Sequence, residues 1–357
     1  MLSLIIASEI KKYRIGFDMI IPEQGTAGEI GMQEWHRQIQ ILIEEIDRCI
    51  KNKHDEALTL SSLAEKLGYS EFYVSRKFKE ISGMSLRDYV GQRTLSFALK
   101  EVRDTTRGLM EIALDYGFSS HEAFSRAFKE QYGITPSDYR RNPRPVVLRT
   151  VIKPFDCYLL GTGGSGMENT SSDVNVYFVT IPAHKFLHIR NYESIGYWDF
   201  WQKQSKIPGQ DCETICGLLD SITGKLDDNG SDEHDSGSGQ VMAFINEPTG
   251  RICSWGIPLA ESYGVRLPMD YAGEVPPQMQ LMDVEEGTYI VFEHGPFDYE
   301  TQNQMVEQKI EEAMKNFDYA ASGYELDLTQ GRVFYFHHDC KQFWKYVRPV
   351  KKVESIR

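Results

Sequence analysis

A fifteen-residue stretch that occurs twice decides the fold of this chain. Residues 75–89 read Ser-Arg-Lys-Phe-Lys-Glu-Ile-Ser-Gly-Met-Ser-Leu-Arg-Asp-Tyr, and residues 125–139 read Ser-Arg-Ala-Phe-Lys-Glu-Gln-Tyr-Gly-Ile-Thr-Pro-Ser-Asp-Tyr. The two stretches align without gaps, and residues 63–70 and 112–119 before them also match each other. A short helix, a glycine turn and a second helix with Ser-Arg on its surface are typical of helix-turn-helix units that read DNA.

The charge of the chain is distributed unevenly. The net charge is −13, yet residues 57–145 carry 14 Lys and Arg against 11 Asp and Glu, whereas residues 146–357 carry 18 against 31. Only the repeat region is therefore basic, as contact with phosphate requires. The acidic remainder is predicted to avoid DNA, and it is either a solvated surface or one that favours cationic partners.

Length and composition favour a soluble protein of two or three domains. No run approaches the roughly 20 apolar residues that span a bilayer. Residues 1–7 are apolar, but no basic residue precedes them as in a signal peptide, so a cytoplasmic protein is predicted. Residues 1–31 lack periodicity and are predicted to be a non-native or disordered extension, with translation starting at Met32. A helical pattern of apolar residues begins there.

Residues 59–145 contain the signals that begin and end helices. The predicted N-cap residues are Thr59 or Ser61, Ser70, and Ser119 or Ser120, and the predicted turn glycines are Gly68 and Gly117. Periodic apolar residues over 86–102 predict one long connecting helix. Residues 142–145, Asn-Pro-Arg-Pro, end helical structure and place a domain boundary there, so that residues 32–145 form one domain and residues 146–357 another.

The closing runs of the repeat resemble a known family. Residues 124–129 (Phe-Ser-Arg-Ala-Phe-Lys) and 133–140 (Gly-Ile-Thr-Pro-Ser-Asp-Tyr-Arg) are similar to the signature of the AraC/XylS family of bacterial transcription regulators. The resemblance covers residues 58–141. It implies two helix-turn-helix units joined by a long helix, with both recognition helices in successive major-groove segments on one face of the DNA.

Helical spacing separates buried from outward residues in each unit. Val74 and Phe78, and likewise Phe124 and Phe128, are four apart and predicted to be the buried pairs. The outward residues, which match the family's DNA-contacting positions, are Phe72, Ser75, Arg76, Lys79, His121, Glu122, Ser125, Arg126 and Lys129. The arginines are predicted to reach guanine, Phe72 a thymine methyl group and the lysines phosphate. The sequence leaves open that both arginines form only surface ion pairs.

From residue 146 the sequence changes to β-branched and aromatic runs. Residues 174–181, 185–189, 240–245 and 288–293 are predicted strands, residues 197–203 and 298–315 predicted helices, and residues 227–239 a mobile surface loop. A weak repeat pairs residues 181–192 with 286–297, which predicts two strand-and-helix halves. His184 and His188 share one strand face and are predicted to be surface histidines, since no third metal ligand is evident.

Short pieces spread over residues 150–352 resemble a GyrI-like effector-binding domain. They include residues 153–161 (Lys-Pro-Phe-Asp-Cys-Tyr-Leu-Leu-Gly) and 293–297 (Glu-His-Gly-Pro-Phe). The resemblance implies an α+β fold of duplicated strand-helix-strand-strand units and an aromatic cleft with an acid at its base, which binds small and often cationic, lipophilic molecules. The residues assigned to this cleft are Tyr192, Trp198, Trp201, Trp255, Tyr263, Tyr289, Phe292, Trp344 and, as the acid, Glu293. Each aromatic alone also fits an ordinary core position. The last strand has Lys345 in a region where many members carry glutamate, which predicts a less acidic site.

The sequence therefore favours a multidomain one-component regulator: an all-α double helix-turn-helix domain that binds promoter DNA, followed by an α+β domain that senses a small-molecule effector. RNA polymerase is the further expected partner. Two alternatives stay open for the second domain, a hydrolase in which Glu293 activates water beside Tyr289 or His294, and a protein-binding module. No catalytic residue, metal ligand or cofactor is assigned, and the oligomeric state is undecided.

Overall fold

The computed structural model describes residues 27–53, 59–152, 174–227, 239–253, 258–297, 299–339 and 343–353. The chain divides into two compact units, which we call the helical unit and the sheet unit. The helical unit contains the described residues up to Pro143 together with residues 151–152, and the sheet unit contains Arg144–Thr150 and the described residues from 174 onward.

Helix α1 (Ala27–Lys51) begins five residues before Met32 and packs along the helical unit. Ile39, Ile43, Ile46 and Ile50 on its apolar face are fully buried, as their spacing predicts. The Asp47 carboxylate accepts a hydrogen bond of 2.9 Å from Nε of Arg93, which is itself 1% exposed. A buried arginine needs such a partner, so this ion pair fixes α1 against the helix that carries Arg93.

Two helix-turn-helix units follow. The first consists of α2 (Leu60–Leu67) and α3 (Glu71–Ser82), and the second of α5 (Leu109–Asp115) and α6 (His121–Tyr132). The predicted turn glycines Gly68 and Gly117 have φ of 72° and 77°, a left-handed conformation that other residues rarely adopt. Helix α4 (Leu86–Asp104) joins the units, and α7 (Pro136–Arg141) ends the second one. The predicted N-caps Thr59, Ser70 and Ser120 all accept backbone hydrogen bonds.

The sheet unit contains one nine-stranded sheet, whose described strand pairs are all antiparallel. Its strands are β1 (Asn175–Ile181), β2 (His184–Asn191), β3 (Gln240–Ile252), β4 (Pro258–Leu267), β5 (Gln280–Val284), β6 (Gly287–His294), β7 (Tyr324–Leu326), β8 (Val333–Asp339) and β9 (Phe343–Lys352). Their order is β1-β6-β9-β8-β3-β4-β2-β5, with β7 beside β9. Helices α8 (Tyr197–Gln204) and α9 (Cys212–Ser221) lie between β2 and β3 in sequence, and α10 (Tyr299–Asn316) and α11 (Tyr319–Ser322) lie between β6 and β7.

The strand order repeats about the β3–β8 pair. One half runs β2, helices, β3, β4, and the other runs β6, helices, β8, β9. The β1–β6 pairing places Ile181 opposite Gly287, and the β5–β2 pairing places Val284 opposite His184. Phe186 therefore corresponds to Tyr289, and the repeat is shifted by two residues from the alignment that the sequence suggests.

The two faces of the sheet carry different residues because side chains alternate along each strand. The face that we call the helix face carries Leu187, Ile189 and Tyr263, which pack against α8 and α9. The opposite face, called the far face, carries a second cluster that includes Phe186, Tyr289 and Tyr335. No helix of the described residues is long and apolar enough to cross a membrane.

Candidate functional site

Helices α3 and α6 present the outward residues predicted to contact DNA. Val74 and Phe78 on α3, and Phe124 and Phe128 on α6, have no exposed surface, so the predicted buried pairs are confirmed. The Phe78 ring lies 5.5 Å from the Tyr89 ring, and the Phe128 ring lies 6.0 Å from the Tyr139 ring. The same core contact thus fixes the rotation of each helix about its own axis.

The side chains opposite these pairs point to solvent at matching positions. Arg76, Lys79, Arg126 and Lys129 are exposed, while Ser75 and Ser125 are half-buried. Within the part of the chain that the structure describes, none of the four cations forms an ion pair with another side chain. The alternative that Arg76 and Arg126 serve surface ion pairs therefore finds no partner there.

The N-terminal turns of α3 and α6 differ. Phe72 on α3 is 77% exposed, an unusual position for a large apolar side chain. The corresponding residue on α6 is Glu122, which is exposed. Hydrogen bonds from its own backbone amide and from the Ser120 hydroxyl lower the pKa of the Glu122 carboxyl. This carboxylate is therefore already used at the helix N-terminus, where the helix dipole favours negative charge. Half-buried His121 lies beside it, its Nε2 3.5 Å from the Ser125 Oγ.

A network of charged residues joins elements of the two helix-turn-helix units within the helical unit. Lys53 Nζ lies 3.1 Å from Glu101 Oε1 and 3.0 Å from Asp115 Oδ2. Arg107 Nη2 lies 2.6 Å from the same Asp115 oxygen, and hydrogen bonds from Arg107 and then Lys53 lower the pKa of Asp115. These contacts connect the end of α1 to α4 and α5. They therefore help to hold the second helix-turn-helix unit in place within the helical unit.

The aromatic residues predicted to line one cleft in the sheet unit do not come together. Trp201 and Tyr263 lie in the core on the helix face with ring centroids 5.0 Å apart, and each is at most 6% exposed. Phe292 and Trp344 are also buried on the helix face, whereas Tyr289 is buried on the far face. Tyr192 and Trp198 are exposed. Trp255 lies outside the described residues.

Glu293 and Phe292 are neighbours in sequence but lie on opposite faces, so they cannot line one wall. The prediction that they do is corrected by the alternation of β6. Glu293 lies on the far face, where its Oε2 is 2.7 Å from Lys345 Nζ and accepts a hydrogen bond of 3.0 Å from the Tyr177 hydroxyl. Burial and this hydrogen bond raise the pKa of Tyr177 to about 12. The acid is present, but a lysine of the chain already neutralises it.

The two strand histidines were predicted to lie on the surface, and this is wrong. His184 and His188 are at most 1% exposed. His188 Nε2 accepts a hydrogen bond of 2.9 Å from Arg190, so its Nδ1 carries the proton and donates to the Phe186 carbonyl. Burial lowers the pKa of His188 to about 4. These histidines are thus structural and neutral.

Comparisons with known proteins concern mainly the helical unit. A family model described as a helix-turn-helix domain matches residues 63–142. The regulatory protein SoxS of Salmonella typhimurium is 42% identical over 106 residues, which are 95% of that protein and 29% of this chain. The chain belongs to the AraC family of helix-turn-helix transcription regulators.

Solved structures extend the comparison of this AraC-family chain only weakly. The C-terminal domain of AraT, a response regulator from Geobacillus stearothermophilus, is 30% identical over 29% of this chain and 84% of its own, with a TM-score of 0.27. SAV2435 bound to tetraphenylphosphonium aligns over 50% of this chain and 94% of its own at 16% identity, with a TM-score of 0.33.

Several polar contacts of this AraC-family chain were not predicted from its sequence. Tyr177 and Lys345 meet Glu293, and Asp227 forms an ion pair with Arg266, whose guanidinium lies 5.4 Å from the Tyr335 ring centroid. These partners come from strands and loops far apart in sequence. No local signal identifies them, because only the register of the sheet brings them together.

Proposed function

We propose that the helical unit binds promoter DNA through both recognition helices, and that the sheet unit adjusts this binding in response to a small-molecule effector. The observation that supports the first part is the matched set of exposed, outward cations on α3 and α6. A basic unit in an otherwise acidic chain presents them where phosphate and base edges can be reached.

The outward residues divide into two roles. Arg76 and Arg126 sit half a turn from the buried pairs and, with planar guanidinium groups, suit bidentate contact with guanine. Lys79 and Lys129, one turn of helix further along, suit phosphate, which fixes position but carries no sequence information. Phe72 offers its ring to a thymine methyl group, and Ser75, Ser125 and His121 complete the polar surface. Glu122 acts through its helix N-terminus rather than through a base.

The test is the salt dependence of binding to a selected DNA site. A full-length chain that neutralises phosphates loses affinity with salt, and each lost phosphate contact reduces the slope of log K against log salt by about 0.9. We expect Lys79→Gln and Lys129→Gln to reduce the slope by this amount each, with base preference unchanged. Arg48→Ala, which removes an exposed arginine on α1, is the control. An unchanged slope in both lysine variants would contradict the proposal.

We place the effector site on the far face around Tyr177, Glu293 and Lys345. Tyr177 is 37% exposed there, and Glu293 and Lys345 present one charge of each sign. A cationic ligand has to compete with Lys345 for the carboxylate, so aromatic area alone does not define its affinity.

The matched pair Lys345→Met and Glu293→Gln tests this site by thermal shift against lipophilic cations. Lys345→Met releases the carboxylate and is expected to raise cation affinity, and Glu293→Gln to remove it; a ligand at 100 times its Kd adds about 2.7 kcal/mol of stability. Equal responses of both variants and the parent chain would place the effector elsewhere. Turnover of a bound ligand by the parent chain would favour the hydrolase alternative.

A further inference from the structure

Two free cysteines on α9 lie side by side in the sheet unit. Cys212 Sγ and Cys216 Sγ are 3.5 Å apart, one turn of helix from each other. Cys216 is 1% exposed, whereas Cys212 at the start of the helix is half-buried. Around them pack Tyr263 and Trp201 of the helix-face core. One thiol therefore belongs to a half-buried residue at the start of the helix, and the other lies beside it in the core.

The short distance between the two sulfurs limits which metal or metalloid centres they can bind together. Bonds to sulfur of about 2.3 Å place two sulfurs about 4.6 Å apart on a linear ion, and about 3.3 Å apart on a centre with near-right-angled bonds. Zinc requires four ligands, and among the described residues no group of three His, Cys, Asp or Glu side chains is arranged to hold a metal ion. A pyramidal trivalent centre needs only the two thiols and one substituent of its own.

Helix α9, which carries this pair, also contacts the segment that directly follows Pro143 in the chain. This segment, Arg144–Thr150, is called the connector. Its Leu148 amide donates a hydrogen bond of 3.3 Å to the Gly217 carbonyl, and its Val146 amide donates one of 3.1 Å to Ser221 Oγ. Arg149 forms an ion pair with Glu213. A Cβ at position 217 would lie 2.4 Å from the Leu148 oxygen, so the connector packs directly on the α9 backbone.

We propose that Cys212 and Cys216 form a binding site for trivalent arsenicals, and that occupation of this site changes DNA affinity through the connector. Each thiol replaces one hydroxide ligand of the hydrated arsenical: an As–O bond breaks, an As–S bond forms, and the thiol proton joins the departing hydroxide as water. Arsenic stays trivalent and the sulfurs are not oxidised, so no oxidant is required.

Protonated thiols suit this condensation. The hydrogen bond with Cys216, followed by burial, raises the pKa of the Cys212 thiol well above its usual range. Reagents that need a thiolate react slowly with such a group. Condensation starts at half-buried Cys212 and closes on Cys216, and the second bond is favoured because it forms within one molecule.

Phenylarsine oxide on the reduced full-length chain tests the site. Trypsin releases residues 207–225, between Lys206 and Lys225, as one peptide that contains both cysteines and no other. We expect one phenylarsenic group on this peptide, with both thiols blocked. In the presence of a competing monothiol, Cys212→Ser and Cys216→Ser should each raise the concentration for half-occupancy about 100-fold or more. Cys253→Ser, which removes a half-buried thiol next to the end of β3, should leave it unchanged.

Two results would overturn the site: no adduct on residues 207–225, or equal retention by Cys212→Ser and the parent chain. Because Cys212 is half-buried, its serine variant is expected to fold, and its circular dichroism spectrum verifies this. The regulatory part rests on the proposed DNA binding, whereas adduct formation does not. An adduct that leaves DNA affinity unchanged, in a chain that binds its DNA site, overturns the regulatory part alone.

The coupling is tested with Gly217→Ala, whose methyl group displaces the connector from α9. We expect the adduct to change the Kd for DNA about fivefold or more in the parent chain. In Gly217→Ala the adduct should still form, and this change should be lost. A Gly217→Ala chain that keeps the full change would show that the connector does not carry the effect.

Discussion

Both units of this regulator are built by duplication, yet the copies have diverged far more in the sheet unit. Arg76 and Arg126 occupy the same exposed position in the two helix-turn-helix units. At corresponding positions of the sheet halves, by contrast, Arg190 stands where the other half has Glu293. Under the proposed function, both recognition helices meet the same phosphates and grooves of DNA, so the same residues suit both copies. The two halves of the sheet have no such shared repeating partner. The residues at corresponding positions of the far face are therefore free to differ.

The largest expected effect is on stability, from substitutions in the cores of the two helix-turn-helix units. Phe78→Ala and Phe128→Ala each remove a fully buried ring and should lower the free energy of unfolding by about 3–5 kcal/mol. Urea unfolding of the full chain, followed by the helical circular dichroism signal, measures both. Costs that differ by more than the spread of such substitutions would break the equivalence of the two copies.

The next effect compares the two arginines on DNA. Arg76→Ala and Arg126→Ala should each cost about 1–3 kcal/mol of specific binding and relax base preference at one position of the DNA site. Because the two arginines lie on different helices, α3 and α6, the double variant should show the sum. Anisotropy titrations with a selected site and its single-base variants measure both quantities. Parent-like binding by either variant would mean that one copy no longer reads bases.

The two halves of the sheet should contribute differently to the pH dependence of stability. His188 has a pKa of about 4 in the folded chain, and Val291 in the other half does not titrate. The unfolded histidine binds protons near its ordinary value of about 6.5, so the unfolded state gains protons first and stability falls as pH falls from there. We expect a loss of about 1–2 kcal/mol between about pH 7.5 and pH 5.

His188→Gln keeps an acceptor for Arg190 but cannot take up a proton. Urea unfolding of the sheet unit at several pH values should therefore give a flatter profile for this variant than for the parent chain. A profile as steep as the parent's would assign the pH dependence to other groups.

The smallest expected effect concerns Phe72 and Glu122, the corresponding outward positions at which the two helix-turn-helix units differ most. Phe72→Glu copies Glu122 into the first unit. Because Phe72 is 77% exposed, stability should change by no more than about 0.5 kcal/mol. DNA affinity should fall by about 1 kcal/mol, the low end for one base contact. Phe72→Leu, which keeps an apolar group, is the control, and equal affinities for both variants would remove Phe72 from the reading surface.

The sequence predicted the helical unit well because its signals are local. Caps such as Thr59 and Ser120 lie within three residues of the amides they accept from, and a spacing of four placed Val74 and Phe78 correctly. The sheet unit depends on register between distant strands. Phe292 and Glu293 were assigned to one wall although strand alternation separates them, and Trp201 and Tyr263 are core residues. Strands β4, β5, β7 and β8 were not predicted individually, since edge and pairing contacts leave little trace in sequence.

Helix α4 defines a length as well as a connection. Its 19 residues span about 28 Å at 1.5 Å per residue, a little less than the roughly 34 Å of one turn of B-DNA. A rigid rod of this size cannot follow half-sites that rotate away from each other around the duplex. Promoters read by this chain should therefore tolerate changes of base within the gap between the two contacted segments far better than changes in its number of base pairs.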